Sequence, residues 1–286
     1  MLNGIHAPNR PFVGAGLDAD ANAIRDRVQV ASARPQVAVI TAGSHKRADA
    51  DFLRQVGCQQ VIVRVNPDRA DIHWEEVSQA VNEFGPNTII QLGNEPNGMV
   101  RPGGGWDASL GKHDPWQLRY YLMDVLAHKP VYKGALLLPP PLAVGDNVRT
   151  ITEQIAFLRQ RHGVGKDSFS FEDIYCQLAP NDLAIHLYGW SSSFDLCCAL
   201  DAWHAYRPQA RLWITEYAIN GMMAGEQPGN QPAKVAEYRR FLSECHKRPW
   251  VAGAAMFIAG SDLPGQGTAW SANYIVGSAI SGLAGA

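Results

Sequence analysis

Two glutamates stand where an apolar segment of the chain stops. The apolar run that begins at Thr88 ends at Asn94 and Glu95, and the run that begins at Arg211 ends at Glu216. Two carboxyl groups in different environments can hold one proton between them, so that one acts as an acid while the other stays ionised. Hydrolysis of a glycosidic bond requires this pair of groups on either side of the anomeric carbon. The two segments predict such chemistry if the fold brings them together.

The elements that must position these acids recur along the whole chain. Short β-branched runs are each followed by an amphipathic segment or by a Gly/Pro-rich connection, a pattern typical of parallel strands joined by helices. The candidate strands are residues 3–7, 36–41, 60–65, 88–93, 134–138, 183–188, 211–215 and 251–257. The candidate helices are residues 19–32, 46–56, 71–84, 115–127, 150–161, 194–206 and 233–247, with a final helix over 271–286.

Eight strand and helix units favour an α/β fold of the (β/α)₈ TIM-barrel class. An open doubly wound sheet is disfavoured, because no glycine-rich phosphate turn follows the first strand. The glycines at 103–105 lack the Lys-Ser/Thr pair of a P-loop, which argues against nucleotide binding. No internal repeat or linker is apparent, so the sequence predicts a single barrel domain over residues 1–286.

A barrel collects its catalytic groups at the carboxyl ends of the strands. Glu95 ends the fourth predicted strand and Glu216 the seventh, three positions apart in a ring of eight, so their side chains are expected to face each other across the mouth. His186 and Tyr188 lie two apart on strand six and share a face. Tyr188 is suited to donate its hydroxyl to Glu216, and Arg64, at the end of strand three, is suited to keep Glu216 anionic.

Further candidates for substrate contact lie at the same predicted mouth. His6 ends the first strand, and Trp190 follows Tyr188 by two residues. Flat aromatic faces near the strand ends are suited to stack on sugar rings, although core packing is an equally good interpretation. The aromatics of this group besides Trp190 are Trp106, Trp116, Tyr217 and Trp270. The segment 163–179 precedes strand six and is predicted to be an insertion at the opposite, stability face of the barrel.

Three of these segments, taken in order, resemble clan A of the glycoside hydrolases. They are Asn94-Glu95-Pro96 on strand four, His186-Leu187-Tyr188 on strand six, and Glu216 on strand seven. Members of that clan are retaining β-glycosidases and endoglycanases built on (β/α)₈ barrels. The resemblance implies that Glu95 is the general acid/base, that Glu216 is the nucleophile, and that Asn94 binds the sugar 2-hydroxyl. It implies a carbohydrate substrate and no cofactor.

The chain departs from the clan pattern in two places. Strand eight lacks the Trp that, in members of the clan, commonly lies beneath the bound sugar. The sequence offers Phe257 or the later Trp270 instead. Strand two lacks the clan's arginine, so either Arg64 takes that role or the strand numbering shifts by one. Two alternative functions remain open: a barrel that binds glycans without cleaving them, and a metal-dependent hydrolase with His6 and His186 as ligands. The second lacks the His-x-His pair expected on a first strand, and no metal ion is predicted.

Composition and charge argue against other classes of binding partner and indicate the protein's environment. With 25 basic and 27 acidic residues the net charge is −2, and no basic block indicates nucleic-acid binding. No apolar run approaches the roughly 20 residues of a membrane span. Residues 1–10 lack the features of a secretory signal, which predicts a cytoplasmic chain as numbered, or a secreted one if a leader has been removed. Five cysteines cannot all pair, and no Cys-x-x-Cys pair or Cys/His cluster at zinc spacing occurs, so the cysteines are predicted to be reduced thiols.

Overall fold

The computed structural model describes residues 1–7, 11, 13–14, 21–65, 74–97, 115–142, 147–189, 193–219 and 231–256. Strands and helices alternate along these residues. The strands are β1 (Leu2–His6), β2 (Val37–Thr41), β3 (Gln60–Val65), β4 (Ile89–Leu92), β5 (Leu136–Leu138), β6 (Asp182–Gly189), β7 (Arg211–Ile219) and β8 (Val251–Met256). The helices are α1 (Ala21–Ala33), α2 (Arg47–Gln55), α3 (Trp74–Phe84), α4 (Pro115–Ala127), α5 (Val148–Arg159), α6 (Phe171–Leu178), α7 (Ser193–Tyr206) and α8 (Gln231–His246).

The eight strands form one parallel sheet in the order β5-β4-β3-β2-β1-β8-β7-β6. Strands β1 to β5 and β6 to β8 pair in chain order, and β1 pairs with β8. Among the described residues β5 and β6 stand at the two ends of the sheet, which therefore curls into a nearly closed barrel. The predicted (β/α)₈ fold is therefore confirmed. Because Thr41 of β2 pairs with Arg64 of β3, Arg64 belongs to the third strand and the strand numbering does not shift. Within the described residues, no helix combines the length and apolar character that crossing a bilayer requires.

The segment 163–179 differs from its prediction. It contains α6, whose first turn is capped by the Ser170 hydroxyl, which accepts a hydrogen bond from the Asp173 N–H. Phe171, Ile174 and Leu178 bury one face of this helix. Tyr175, on the same helix, donates its hydroxyl to the carbonyl of Pro140, which follows the carboxyl end of β5. Through Tyr175 the insertion therefore contacts the segment that follows the carboxyl end of β5, so it is not confined to the opposite face.

Apolar side chains pack in two layers, one between strands and helices and one inside the barrel. The interior layer consists of Val37, Val39, Ile62, Ile89, Leu138, Ala184, Trp213 and Ala255. Trp213 is the largest of them, and a Cβ added at Gly253 would lie 3.2 Å from its ring, so a glycine makes room for the indole. The Trp213 Nε1–H donates to the buried Asp182 carboxylate at 2.8 Å, and Arg211 approaches the same carboxylate at 2.9 Å.

Replacing Asp182 with alanine is expected to lower the free energy of unfolding by about 1–3 kcal/mol, because the buried Trp213 N–H would lose its acceptor. Arg211 is more than half exposed and adds little. Urea unfolding followed by tryptophan fluorescence measures the effect. Asp51→Ala, which removes an exposed ion pair with Arg54, is the matched control. Equal stability of the two variants would contradict a structural role for Asp182.

Candidate active site

An extra residue in β7 decides which way Glu216 points. Trp213 faces the barrel interior, while Ile214 and Tyr217 both pack in the outer layer. Because strand side chains alternate with a period of two, two outward residues three positions apart require an extra residue between them. The pairing with β6 shows it: Ile185 pairs with Ile214 and His186 pairs with Glu216, so Thr215 is passed over. The bulge turns Glu216 into the barrel.

The Glu216 carboxylate receives one hydrogen bond on each oxygen. Arg64 Nη2 donates to Oε1, and the Tyr188 hydroxyl donates to Oε2 at 2.5 Å. All three side chains are buried. Burial, followed by the negative charges of Glu216 and Glu95, raises the pKa of Tyr188 well above its usual value, so its hydroxyl remains a donor. The structure thus contains both contacts that the sequence suggested for Glu216, and both favour its ionised form.

Glu95 lies just beyond β4 in an unusual backbone conformation. Its φ of +44° falls in the left-handed region, which a residue with a side chain seldom adopts. Three hydrogen bonds hold this turn in place. The Gly93 N–H donates to the Val65 carbonyl at 2.7 Å, the Gln91 amide donates to the Gly93 carbonyl at 3.0 Å, and the Glu95 N–H donates to the Pro141 carbonyl at 2.8 Å. Neighbours on β3 and beyond β5 therefore determine where Glu95 stands.

His186 stands between the two acids. Its Nδ1 lies 2.6 Å from Glu95 Oε1 and 3.6 Å from Glu216 Oε2. The shorter contact is a hydrogen bond in which either the imidazole donates to the carboxylate or a protonated Glu95 donates to the ring. One oxygen of each acid and one ring nitrogen all lie within 4.8 Å of one another. The two carboxyl groups, 121 positions apart in sequence, thus meet at one buried point.

Polar atoms at this site also remain without partners. His186 Nε2, Arg64 Nε and Asn94 Oδ1 are buried and make no hydrogen bond to any residue that the structure describes. The amide oxygen of Asn94, the residue before Glu95, adds an acceptor there, and its contact with a sugar 2-hydroxyl stays a prediction. Unpaired buried polar atoms are costly, and they cluster where a ligand or water completes the bonding.

Several predicted contacts lie elsewhere. Tyr217 is fully buried in the outer layer, with ring centroids 5.4 Å from Tyr238 and 4.9 Å from Phe241, so its suggested role in sugar stacking was wrong. Trp116 lies in the first turn of α4 and packs edge-on against Phe169. Core packing is thus the role of Tyr217, while Trp116 is partly buried at the edge of the core and its stacking on a sugar stays a prediction. The remaining aromatic candidates, Trp106, Trp190, Phe257 and Trp270, lie outside the described residues, as does the side chain of His6, whose backbone ends β1.

Glu95, His186 and Glu216 also have the residue types and spacing of a metal site, and they are the only such group in the part of the chain that the structure describes. Two features oppose a divalent cation. Both oxygens of Glu216 already accept hydrogen bonds, and the Arg64 guanidinium beside them repels a second positive charge. The arrangement is better suited to holding a proton than a metal ion.

Sequence reasoning missed two residues here. Gln91 is a fully buried amide inside the apolar run of β4, and its position there was a usable signal of a polar role. Thr215, the extra residue of β7, is also fully buried, but nothing in the sequence around it distinguishes a bulge from a regular strand.

Comparisons with known proteins give a fold and no family. No protein-family model matches the chain, and neither does any curated protein. Similar solved structures include a GH5 xyloglucanase from Bacteroides ovatus, with a TM-score of 0.58 and 10% identity over 99% of this chain and 74% of that one. A GH128 exo-β-1,3-glucanase from Aureobasidium namibiae has a TM-score of 0.55 and 13% identity over 95% and 89%.

A third similar structure is the β-glucuronidase from Faecalibacterium prausnitzii, with a TM-score of 0.54 and 17% identity over 93% of this chain. The match covers 43% of the glucuronidase, so the chain spans less than half of that enzyme's length. All three neighbours are glycoside hydrolases on the barrel fold that this chain shares. At these identities the likeness shows the fold alone.

Proposed function

We propose that the protein is a retaining β-glycoside hydrolase with Glu216 as nucleophile and Glu95 as general acid/base. The observation that carries this proposal is the approach of the two carboxyl groups, with oxygen atoms within 4.8 Å of each other at one end of the barrel. Retaining glycosidases have carboxyl groups about 5–5.5 Å apart, whereas inverting enzymes need about 6.5–9.5 Å to admit a water molecule. The separation at this site fits the shorter range, that of the retaining enzymes.

The surroundings of the two acids support their different roles. Glu216 receives a hydrogen bond from a cation, Arg64, and a second from Tyr188, so it is held as an anion ready to attack. Glu95 has His186 as its only hydrogen-bond partner among the described side chains, and its contact can hold a proton on either group. These surroundings fit Glu216 as the nucleophile and Glu95 as the acid/base.

The reaction follows in two balanced steps. In the first, a Glu216 oxygen forms a bond to the anomeric carbon while the bond to the leaving oxygen breaks, and that oxygen takes the proton of Glu95. In the second, the Glu95 carboxylate removes a proton from water, whose oxygen attacks the anomeric carbon and releases Glu216. Two inversions retain the configuration. Asn94 is assigned to the sugar 2-hydroxyl, and His6 and Trp190 to further substrate contacts.

The stereochemistry of the first-formed product tests the proposal. Aryl β-glycosides and β-linked polysaccharides, including β-1,3-glucan and xyloglucan, are screened for release of reducing sugar, and proton NMR then records the anomer released before mutarotation. The β-anomer is expected, with no loss of rate in EDTA. Release of the α-anomer would contradict the retaining mechanism, and glycan binding without cleavage would contradict hydrolysis itself.

A further inference from the structure

The backbone of Glu95 needs external support. A left-handed conformation costs a residue with a side chain on the order of 1–3 kcal/mol and persists only where the surroundings impose it. The bond from the Glu95 N–H to the Pro141 carbonyl is the one that acts on this residue directly. What fixes Pro141 therefore also fixes the direction in which the Glu95 carboxyl projects.

Pro141 ends a run of three prolines, residues 139–141, that follows β5. Prolines have a fixed φ and no N–H group, so this segment can be tied to the rest of the fold only through its carbonyls and its packing. The Pro140 carbonyl accepts a hydrogen bond from the Tyr175 hydroxyl at 3.1 Å. One peptide unit therefore separates the bond to Tyr175 from the bond to Glu95.

Tyr175 is itself held in a fixed position, so it can support the proline segment 139–141. It is buried, with 2% of its surface exposed, and burial raises its pKa well above the usual value, so the hydroxyl stays protonated and donates. Its helix α6 is capped by Ser170 at one end. At the other end the Lys129 ammonium donates to the carbonyls of Gln177 and Leu178, both at 2.8 Å.

We propose that Tyr175 is a positioning residue for the acid/base step. Its hydroxyl holds the Pro140 carbonyl, and the next carbonyl along the chain, that of Pro141, accepts from the Glu95 N–H. Tyr175 thereby keeps the Glu95 carboxyl against His186. Tyr175 itself touches no reacting atom. The inference rests on the acid/base role proposed for Glu95 and extends that role to a helix outside the barrel mouth.

The proposal is tested with the variant Tyr175→Phe. The measurement is how its kcat/KM depends on the leaving group of the substrate. Cleavage of glycosides with poor leaving groups needs proton donation, so kcat/KM for them is expected to fall about 10-fold when the acid is misplaced. For a 2,4-dinitrophenyl glycoside, which leaves unprotonated, kcat/KM is expected to change by less than about twofold. A purely structural loss of folded enzyme would lower both rates equally.

Two matched tyrosines serve as controls. Tyr132 is equally buried and donates to the Trp74 carbonyl at 3.0 Å, away from the site, so Tyr132→Phe removes the same kind of bond. The buried Tyr121 hydroxyl has no partner among the described residues, so Tyr121→Phe removes a hydroxyl without a bond. Both controls are expected to leave the leaving-group dependence unchanged.

The outcomes separate this inference from the proposed function. Glu95→Gln is measured in parallel; if it lacks the leaving-group dependence, the acid/base assignment fails. If Glu95→Gln has the dependence and Tyr175→Phe behaves like Tyr132→Phe, the positioning role is overturned. Should Tyr175→Phe not fold, Pro141→Gly keeps the carbonyl but frees its φ, and it must give the same selective loss for the inference to stand.

Discussion

Replacing Glu216 with glutamine is expected to lower kcat by at least about 10⁴-fold on every substrate, including activated aryl glycosides, because an amide cannot form the glycosyl-enzyme ester. The substitution keeps the size of the side chain and leaves an oxygen to accept from Tyr188. Initial rates with a 2,4-dinitrophenyl glycoside measure the loss. Glu153→Gln, which alters an exposed glutamate paired with Arg149, is the control and is expected to retain full activity.

The shortened variant Glu216→Ala gives a second, chemical readout. Azide that enters the space vacated by the carboxylate attacks the anomeric carbon from the side of Glu216 in a single displacement. The product is then the α-glycosyl azide, formed with inversion. Residual activity of Glu216→Gln near that of Glu153→Gln, or a β-glycosyl azide from Glu216→Ala, would contradict Glu216 as nucleophile.

Replacing Glu95 with alanine is expected to produce a loss that depends on the leaving group. Without the proton donor, kcat/KM for glycosides with poor leaving groups falls by about 10²–10⁴-fold, the range that general acid catalysis supplies. For 2,4-dinitrophenyl glycosides, which need no protonation, the first step remains fast, and the glycosyl-enzyme accumulates because no base activates water. A burst of dinitrophenol followed by slow turnover is the measurable signature.

Azide again distinguishes the two acids. In Glu95→Ala it attacks the accumulated glycosyl-enzyme from the side of the missing carboxyl group, which gives a second inversion and the β-glycosyl azide. The matched variant Glu95→Gln fills the space and is expected to respond less to azide. A uniform loss across all leaving groups, with no burst, would contradict the acid/base role of Glu95.

Both assignments depend on strand ends that the sequence indicated well. The apolar runs before Glu95 and Glu216 are buried strands, β4 and β7, and Arg64 stands at the end of β3 as expected. Apolar runs of this kind are local signals, because a strand buried on both faces must be apolar nearly throughout. The roles of the aromatic candidates Trp116 and Tyr217 were harder to predict. A ring beside a strand end has the same sequence signature whether it packs in the core or contacts a ligand.

The sequence by itself determined the number and order of the strands and the pair of acids at their ends, since burial periodicity and residue type act locally along the chain. Only the tertiary structure decided that Glu216 points inward, because strict alternation would place it on the same face as Ile214 and the bulge at Thr215 reverses this. It also decided that Glu95 is held by Pro141. Bulges and left-handed turns arise from pairing with distant strands, and such pairing leaves no local mark on the sequence.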